Sequence, residues 1–268
     1  MPITCPISPC RISQEEFAAI DYCVMRSAFA SQNELGRLCD ESIYQNDLAS
    51  RLEAAGLGPV HREVPVVVTY GNFCKKYYLD LVVGNGAIYE LKAAAQLIAE
   101  HKAQLLNYLF LLGVSHGKLI NFRPAQVLSR FVNTTLTPEA RKDMTIDTSR
   151  WEEEGDRSRA LRVAFVELVD DWGGFLELPL YSEALTHMLG GEAQVMQTLA
   201  LMRNGLMLGN QRLQLLAADT AFRITALPEA DAREYEQHLR SLLRHTALRA
   251  MQWLNMVRHT VHLVTLTR

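Results

Sequence analysis

Between Tyr77 and Phe122 the chain reads YYLDLVVGNGAIYELKAAAQLIAEHKAQLLNYLFLLGVSHGKLINF, and this stretch leaves little freedom of fold. Tyr77 to Val83 is an apolar, β-branched run with one acid inside it, the pattern of a buried strand. Gly84-Asn85-Gly86 signals a hairpin turn, because glycine and asparagine tolerate the positive φ that such turns need. Ala87 to Lys92 then reads as a second strand, and from Ala93 an alanine-rich helix carries Gln104 and Tyr108.

Side chains alternate along a strand, so Glu90 and Lys92 emerge from one face, and an antiparallel hairpin can bring Asp80 to it. Two adjacent buried carboxylates are expensive unless something neutralises them. Mg²⁺ or Mn²⁺ does so, taking oxygen ligands while keeping several waters. Asp80 and Glu90 are the candidate metal ligands, with the Leu91 carbonyl as a further one. Lys92 then stands where it can orient or help deprotonate an attacking water, or stabilise charge on a phosphorane. Gln104 and Tyr108, four residues apart on one helical face, are candidates to brace the site or touch the substrate backbone.

This order of residues resembles the PD-(D/E)XK nuclease superfamily, and within it the small bacterial proteins labelled GxxExxY. The segment Leu35-Gly36-Arg37-Leu38-Cys39-Asp40-Glu41-Ser42-Ile43-Tyr44 supplies the glutamate and tyrosine of that label, with Leu38 in place of the glycine that names it. Asp80, Glu90, Lys92, Gln104, Asn107, Tyr108 and the strand Leu119 to Phe122 follow in order. The resemblance covers roughly residues 12 to 125. It implies a restriction-endonuclease-like α/β core, a central mixed sheet flanked by helices. It also implies Glu41 as an additional carboxylate reaching the metal from the first helix. The departure at Leu38 is expected to concern helix packing more than chemistry.

Composition sets the bounds. Hydrophobic residues make up 49% and charged residues 21% of 268, a globular mixture, and no apolar run reaches membrane-spanning length. The opening MPITCPISPCRISQEEF lacks the basic and apolar regions of a signal peptide, and five irregularly spaced cysteines point to reduced thiols in the cytoplasm. Cys5 and Cys10 flank prolines in what reads as a loose arm. The net charge is −3, and residues 1–133 hold twelve charges of each sign, so neither half is a basic platform for nucleic acid. Lys75, Lys76, Lys92, Lys102 and Lys118 are the material for a local patch, and affinity for DNA or RNA should be modest or should need a protein partner. The scattered His238, His245, His259 and His262 do not have zinc-ligand spacing.

The chain is expected to divide into a nuclease-like domain over 1–130, a polar connector over 131–159 and a degenerate repeat over 160–268. Gly173 and Tyr181 echo the Gly/Glu/Tyr segment, with the tyrosine displaced by one. Gln214 to Ala226 lies over Asp80 to Lys92 without a gap, and Gly205 then falls on Gly71. Gln252-Trp253-Leu254-Asn255-Met256 repeats Gln104-Leu105-Leu106-Asn107-Tyr108 as a helix, with Ala230 to Leu243 as an insertion before it and His262 to Leu266 as the last strand. On that count Gln214, Ile224 and Ala226 replace Asp80, Glu90 and Lys92, and the chain is a pseudo-dimer with one live site, a monomer or homodimer in solution. Two functions follow: a metal-dependent nuclease on DNA or RNA, or a non-catalytic binding or assembly subunit of a nucleic-acid-processing or defence complex. The acid–lysine triad favours the first; the balanced charge and the acid-free repeat favour the second.

Overall fold

A computed structural model describes residues 3–268, which separate into two compact units at Pro138/Glu139. The first runs β1 (Ile3–Thr4), α1 (Gln14–Leu35), α2 (Glu41–Ala54), β2 (Val60–Tyr70), β3 (Phe73–Val83), β4 (Ala87–Lys92), α3 (Ala99–Leu112), β5 (His116–Asn121) and β6 (Leu128–Asn133). Its six strands form one sheet in sequence order. β4 and β5 are parallel, joined by α3 as the crossover, and the other neighbours are antiparallel. Phe17, Val24 and Ala28 of α1 and Tyr44, Leu48 and Leu52 of α2 pack with Leu81, Tyr89, Leu91, Ile120 and Phe122 of the sheet side.

Local chemistry explains the joints. A capping box opens α1, Glu16 N donating to Ser13 Oγ at 3.1 Å and Ser13 N to Glu16 Oε2 at 2.7 Å. Gly36 ends α1 at φ 74° and ψ −161°, a backbone region open essentially to glycine alone. Tyr44 reaches back from α2 to donate to the Gly36 carbonyl at 2.8 Å, while its ring stacks on Phe122 at 4.4 Å. The Gly/Glu/Tyr segment is therefore a helix break and its clamp, and Glu41 opens the second helix rather than ending the first. Leu38 lies in the intervening loop, 79% exposed, so its substitution concerns no helix packing.

Two further expectations are corrected. α3 begins at Ala99 rather than Ala93, because Asn121 captures the preceding loop, accepting from Ala94 N at 3.1 Å and donating to Ala94 O at 2.8 Å. The N-terminal arm is not loose: Ile3 and Thr4 pair with β2, and Cys10 N donates to Asn85 O at 2.7 Å. Cys10 approaches the β3–β4 turn so closely that a Cβ on Gly86 would stand 2.1 Å from its carbonyl oxygen.

The segment expected to be connector carries α4 (Pro138–Lys142) and β7 (Thr145–Arg150), and β7 pairs in parallel with the last strand of the chain. The second unit continues with α5 (Asp156–Trp172), α6 (Leu178–Met188), α7 (Glu192–Val195), β8 (Met196–Arg203), β9 (Leu206–Ala217), β10 (Thr220–Thr225), α8 (Glu229–His245), β11 (Ala250–Val257) and β12 (Thr260–Thr267). Its sheet order is β7-β12-β11-β10-β9-β8, again with a parallel pair, β10 and β11, joined by one helix. From the α5–α6 pair through β8 to β12 it follows the connectivity of α1 to β6, and the two mixed sheets fit a duplicated arrangement.

Residue by residue the likeness differs from the sequence count. Tyr181 donates to the Gly173 carbonyl at 2.5 Å, eight residues back as in Tyr44 and Gly36, and Gly173 has φ 75°. The tyrosine is thus in step and the glutamate is not; Leu178 holds the place of Glu41. Asn255 clamps Leu227 through its Oδ1 and Nδ2, both at 2.9 Å, as Asn121 clamps Ala94. It pairs with Thr225 as Asn121 pairs with Lys92, and Phe222 pairs with Gln214 as Tyr89 pairs with Leu81. This register puts Leu213, Arg223 and Thr225 in the places of Asp80, Glu90 and Lys92, one residue from the sequence alignment. Gln252 to Met256 lies in strand β11, and α8 is the counterpart of α3 rather than an insertion.

Candidate active site

The β3–β4 ladder pairs Val83 with Ala87, Val82 with Ile88 and Leu81 with Tyr89, and then stops. Beyond that point the Asp80 side chain takes over, its Oδ2 accepting from Leu91 N at 2.7 Å. The strands open where their acids begin, leaving Asp80, Glu90 and Lys92 around a gap rather than within a closed ladder. Lys92 Nζ lies 2.7 Å from Glu90 Oε1, 3.7 Å from Glu41 Oε1 and 4.0 Å from Asp80 Oδ2. Three of the sequence-derived acids therefore converge on the ammonium group of a fourth site residue.

Burial shapes their protonation. Glu90 is 1% exposed, and burial followed by the neighbouring Asp80 charge pushes its carboxyl up to about 8 despite the Lys92 contact. Burial likewise raises Asp80 to about 6, opposed by Lys92 and the Leu91 amide and assisted by Glu41 and Glu63. Burial alone would depress Lys92, but Glu90, Asp80 and Glu41 hold it above its ordinary value. The second oxygen, Glu90 Oε2, is buried with no hydrogen-bond partner.

Among the described residues no three His, Cys, Asp or Glu side chains already form a metal cage. The donor set nevertheless fits a hard divalent cation, which binds through one or two carboxylates and retains waters. An orphaned carboxylate oxygen and two acids held above their usual range are what such an ion would relieve. Asp80 and Glu90 would hold it, and Glu41 lines the same cleft as Asp80.

Gln104 and Tyr108 form a pair within α3, Gln104 Nε2 donating to Tyr108 OH at 3.0 Å, and the Tyr108 ring meets Tyr77 edge-on at 6.0 Å. The expected lysine patch is partly committed: Lys92 is inside the site, Lys118 pairs with Asp21, and Lys75 lies over the Tyr77 ring. Lys76 and Tyr78 stay exposed, alternating along β3 in phase with Asp80.

Two residues were missed in the sequence. Gln45, buried on α2, donates to Asp80 O at 2.7 Å and to Glu63 Oε1 at 2.6 Å. Its spacing of four from Glu41 was a visible signal; Glu63, on the remote strand β2, gave none. Together with Asp40, Glu41, Ser42 and Asp80 they line a cleft of about 300 Å³. A larger cavity of about 640 Å³ lies in the second unit, where its charged walls are tied to each other, Arg150 to Glu236 and His262 to Asp147.

Residues 18–131 match the PD-(D/E)XK nuclease superfamily, a family whose members generally use divalent metals such as Mg²⁺ or Mn²⁺. The match spans the open hairpin, the crossover helix and both parallel strands, and it supports a metal-dependent nuclease fold for the first unit. The solved structure of SSO0001 is 21% identical over 42% of this chain and 66% of its own, with a TM-score of 0.27, an overlap too slight to bear on the fold. No curated protein matches the chain. Among the described residues no helix is long and apolar enough to cross a membrane.

Proposed function

We propose that the first unit is a metal-dependent nuclease of the GxxExxY type that hydrolyses phosphodiester bonds in DNA or RNA. The observation that carries this reading is the convergence of Asp80, Glu90 and Glu41 on Lys92 Nζ at the open end of the β3–β4 hairpin. A bound Mg²⁺ or Mn²⁺ supplies Lewis acidity and lowers the pKa of water. Asp80 and Glu90 are its ligands, with Glu41 as the accessory carboxylate. Lys92, protonated among three acids, is a donor; it orients the attacking water and faces the charge that develops on phosphorus. Gln104 and Tyr108 support the α3 side. Lys76 and the exposed Tyr78 offer a cation and a stacking ring in phase with Asp80, suited to a nucleic-acid strand.

The second unit, whose register puts leucine, arginine and threonine at the three strand positions, is on this reading a built-in partner without chemistry. Five free thiols support a reducing, cytoplasmic setting. The alternative, a binding or assembly subunit, draws on the same acid-free unit and on the balanced charge. Cleavage of labelled single- and double-stranded DNA and RNA with Mg²⁺ or Mn²⁺ separates them. Wild type should cut and Lys92→Ala should not; a folded wild type that cuts none of the four substrates moves the assignment to the binding subunit.

A further inference from the structure

Strand β2 does something unusual opposite Asp80. The ladder with β3 pairs Arg62 with Leu81 and Val64 with Leu79, and makes no bridge at Glu63 and Asp80 between them. Glu63 sits there at φ 48°, a left-handed backbone that a glutamate inside a strand rarely adopts. The Asp80 carbonyl is satisfied from elsewhere: Gln45 Nε2 donates to it at 2.7 Å, and to Glu63 Oε1 at 2.6 Å. One buried amide thus ties the backbone of the proposed metal acid to a second carboxylate in the same cleft.

We infer that Gln45 and Glu63 are positioning residues for Asp80, which aim its carboxylate toward the divalent cation; this rests on the nuclease reading. The geometry explains each part. With the ladder interrupted at Glu63, the Asp80 backbone is set by a side chain from α2. That helix also carries Glu41, so both acids are indexed to one rigid element. The Asp80 side chain is then left to engage Leu91 N on β4. Glu63 keeps the Gln45 amide in place through its Oε1, and it adds negative charge on the cleft side where a hydrated cation would enter. Partners of this kind, one step removed from the metal, typically change affinity by about 10–100-fold when lost.

The decisive variant is Glu63→Gly, because glycine relieves the positive φ while removing the carboxylate. If Glu63 served stability alone, this change would lower the Tm and leave Mn²⁺ affinity unchanged. The expected result is an unchanged or raised Tm without metal, and Mn²⁺ binding by calorimetry at least tenfold weaker than wild type. Faster amide exchange at Leu91 without metal should accompany it, as Asp80 loses its setting. Gln45→Met should show both effects, and Asp80→Ala supplies the zero of the Mn²⁺ titration. Wild-type Mn²⁺ affinity and Leu91 protection in Glu63→Gly, with Asp80→Ala inactive for binding, would overturn the positioning role and leave the nuclease reading standing. Equal absence of Mn²⁺ binding in wild type and Asp80→Ala would remove both.

Discussion

At the scale of single residues the site is held in tension, and pH exposes it. Glu90 and Asp80 take up protons more readily folded than unfolded, with values near 8 and 6 against 4.5 and 3.8 for the free side chains. A native state that keeps protons which the unfolded chain has released loses stability as pH rises. Metal-free protein should therefore become less stable between about pH 4 and 8 and level off above, the reverse of an acid held by a salt bridge. Urea midpoints across that range check this. Glu90→Gln should flatten the curve, and Mn²⁺ should bind more tightly as pH rises through the same window.

These residues were legible to different degrees. Asp80 betrayed itself as an acid within an apolar strand, and Glu90 and Lys92 by their two-residue spacing. Of their partners, Gln45 showed only its spacing of four from Glu41 and Glu63 showed nothing, because the contact joins a helix and a strand whose pairing no local pattern records.

At the scale of elements the glycine–tyrosine clamp is the recurring device. Gly36 and Gly173 hold nearly the same backbone angles, and each is closed by a tyrosine hydroxyl eight residues on. Tyr44→Phe and Tyr181→Phe should each cost about 0.5–1.5 kcal/mol, the usual net worth of such a hydrogen bond. Gly36→Ala should cost about 1–3 kcal/mol through backbone strain alone, since nothing lies near its added Cβ. Gly173→Ala should cost more, because its Cβ would come within 2.6 Å of Arg141 O. Thermal melts of the four variants test the ranking.

Periodicity delivered the β3–β4 hairpin and failed at β11. That strand is buried from Ala250 through Met256, so no alternation distinguishes it from a buried helix. The short word shared with α3 then decided the reading wrongly. The one-residue slip in the repeat arose similarly, since the ladder at Phe222 and Gln214, not the ungapped letters, fixes register.

At the scale of the whole chain the tryptophans are a convenience. All three, Trp151, Trp172 and Trp253, belong to the second unit, and the proposed metal site to the first. Tryptophan fluorescence therefore follows unfolding of the second unit, while far-ultraviolet dichroism follows both. Mn²⁺ should raise the dichroism midpoint more than the fluorescence midpoint, by the mass-action stabilisation of a ligand that binds only the folded first unit. Equal shifts by both probes would mean that the two units unfold as one.

The clamp that occurs twice also makes the second unit a recipient for transplantation. Its helix break, its asparagine latch and its strand register are already in place, so beyond the Gln45 and Glu63 support four side chains separate it from the acid–lysine arrangement. Leu178→Glu, Leu213→Asp, Arg223→Glu and Thr225→Lys together would install the missing groups on an existing chassis. A second Mn²⁺ equivalent in calorimetry, persisting when Asp80→Ala silences the first, would show that this framework was ready to host the chemistry all along.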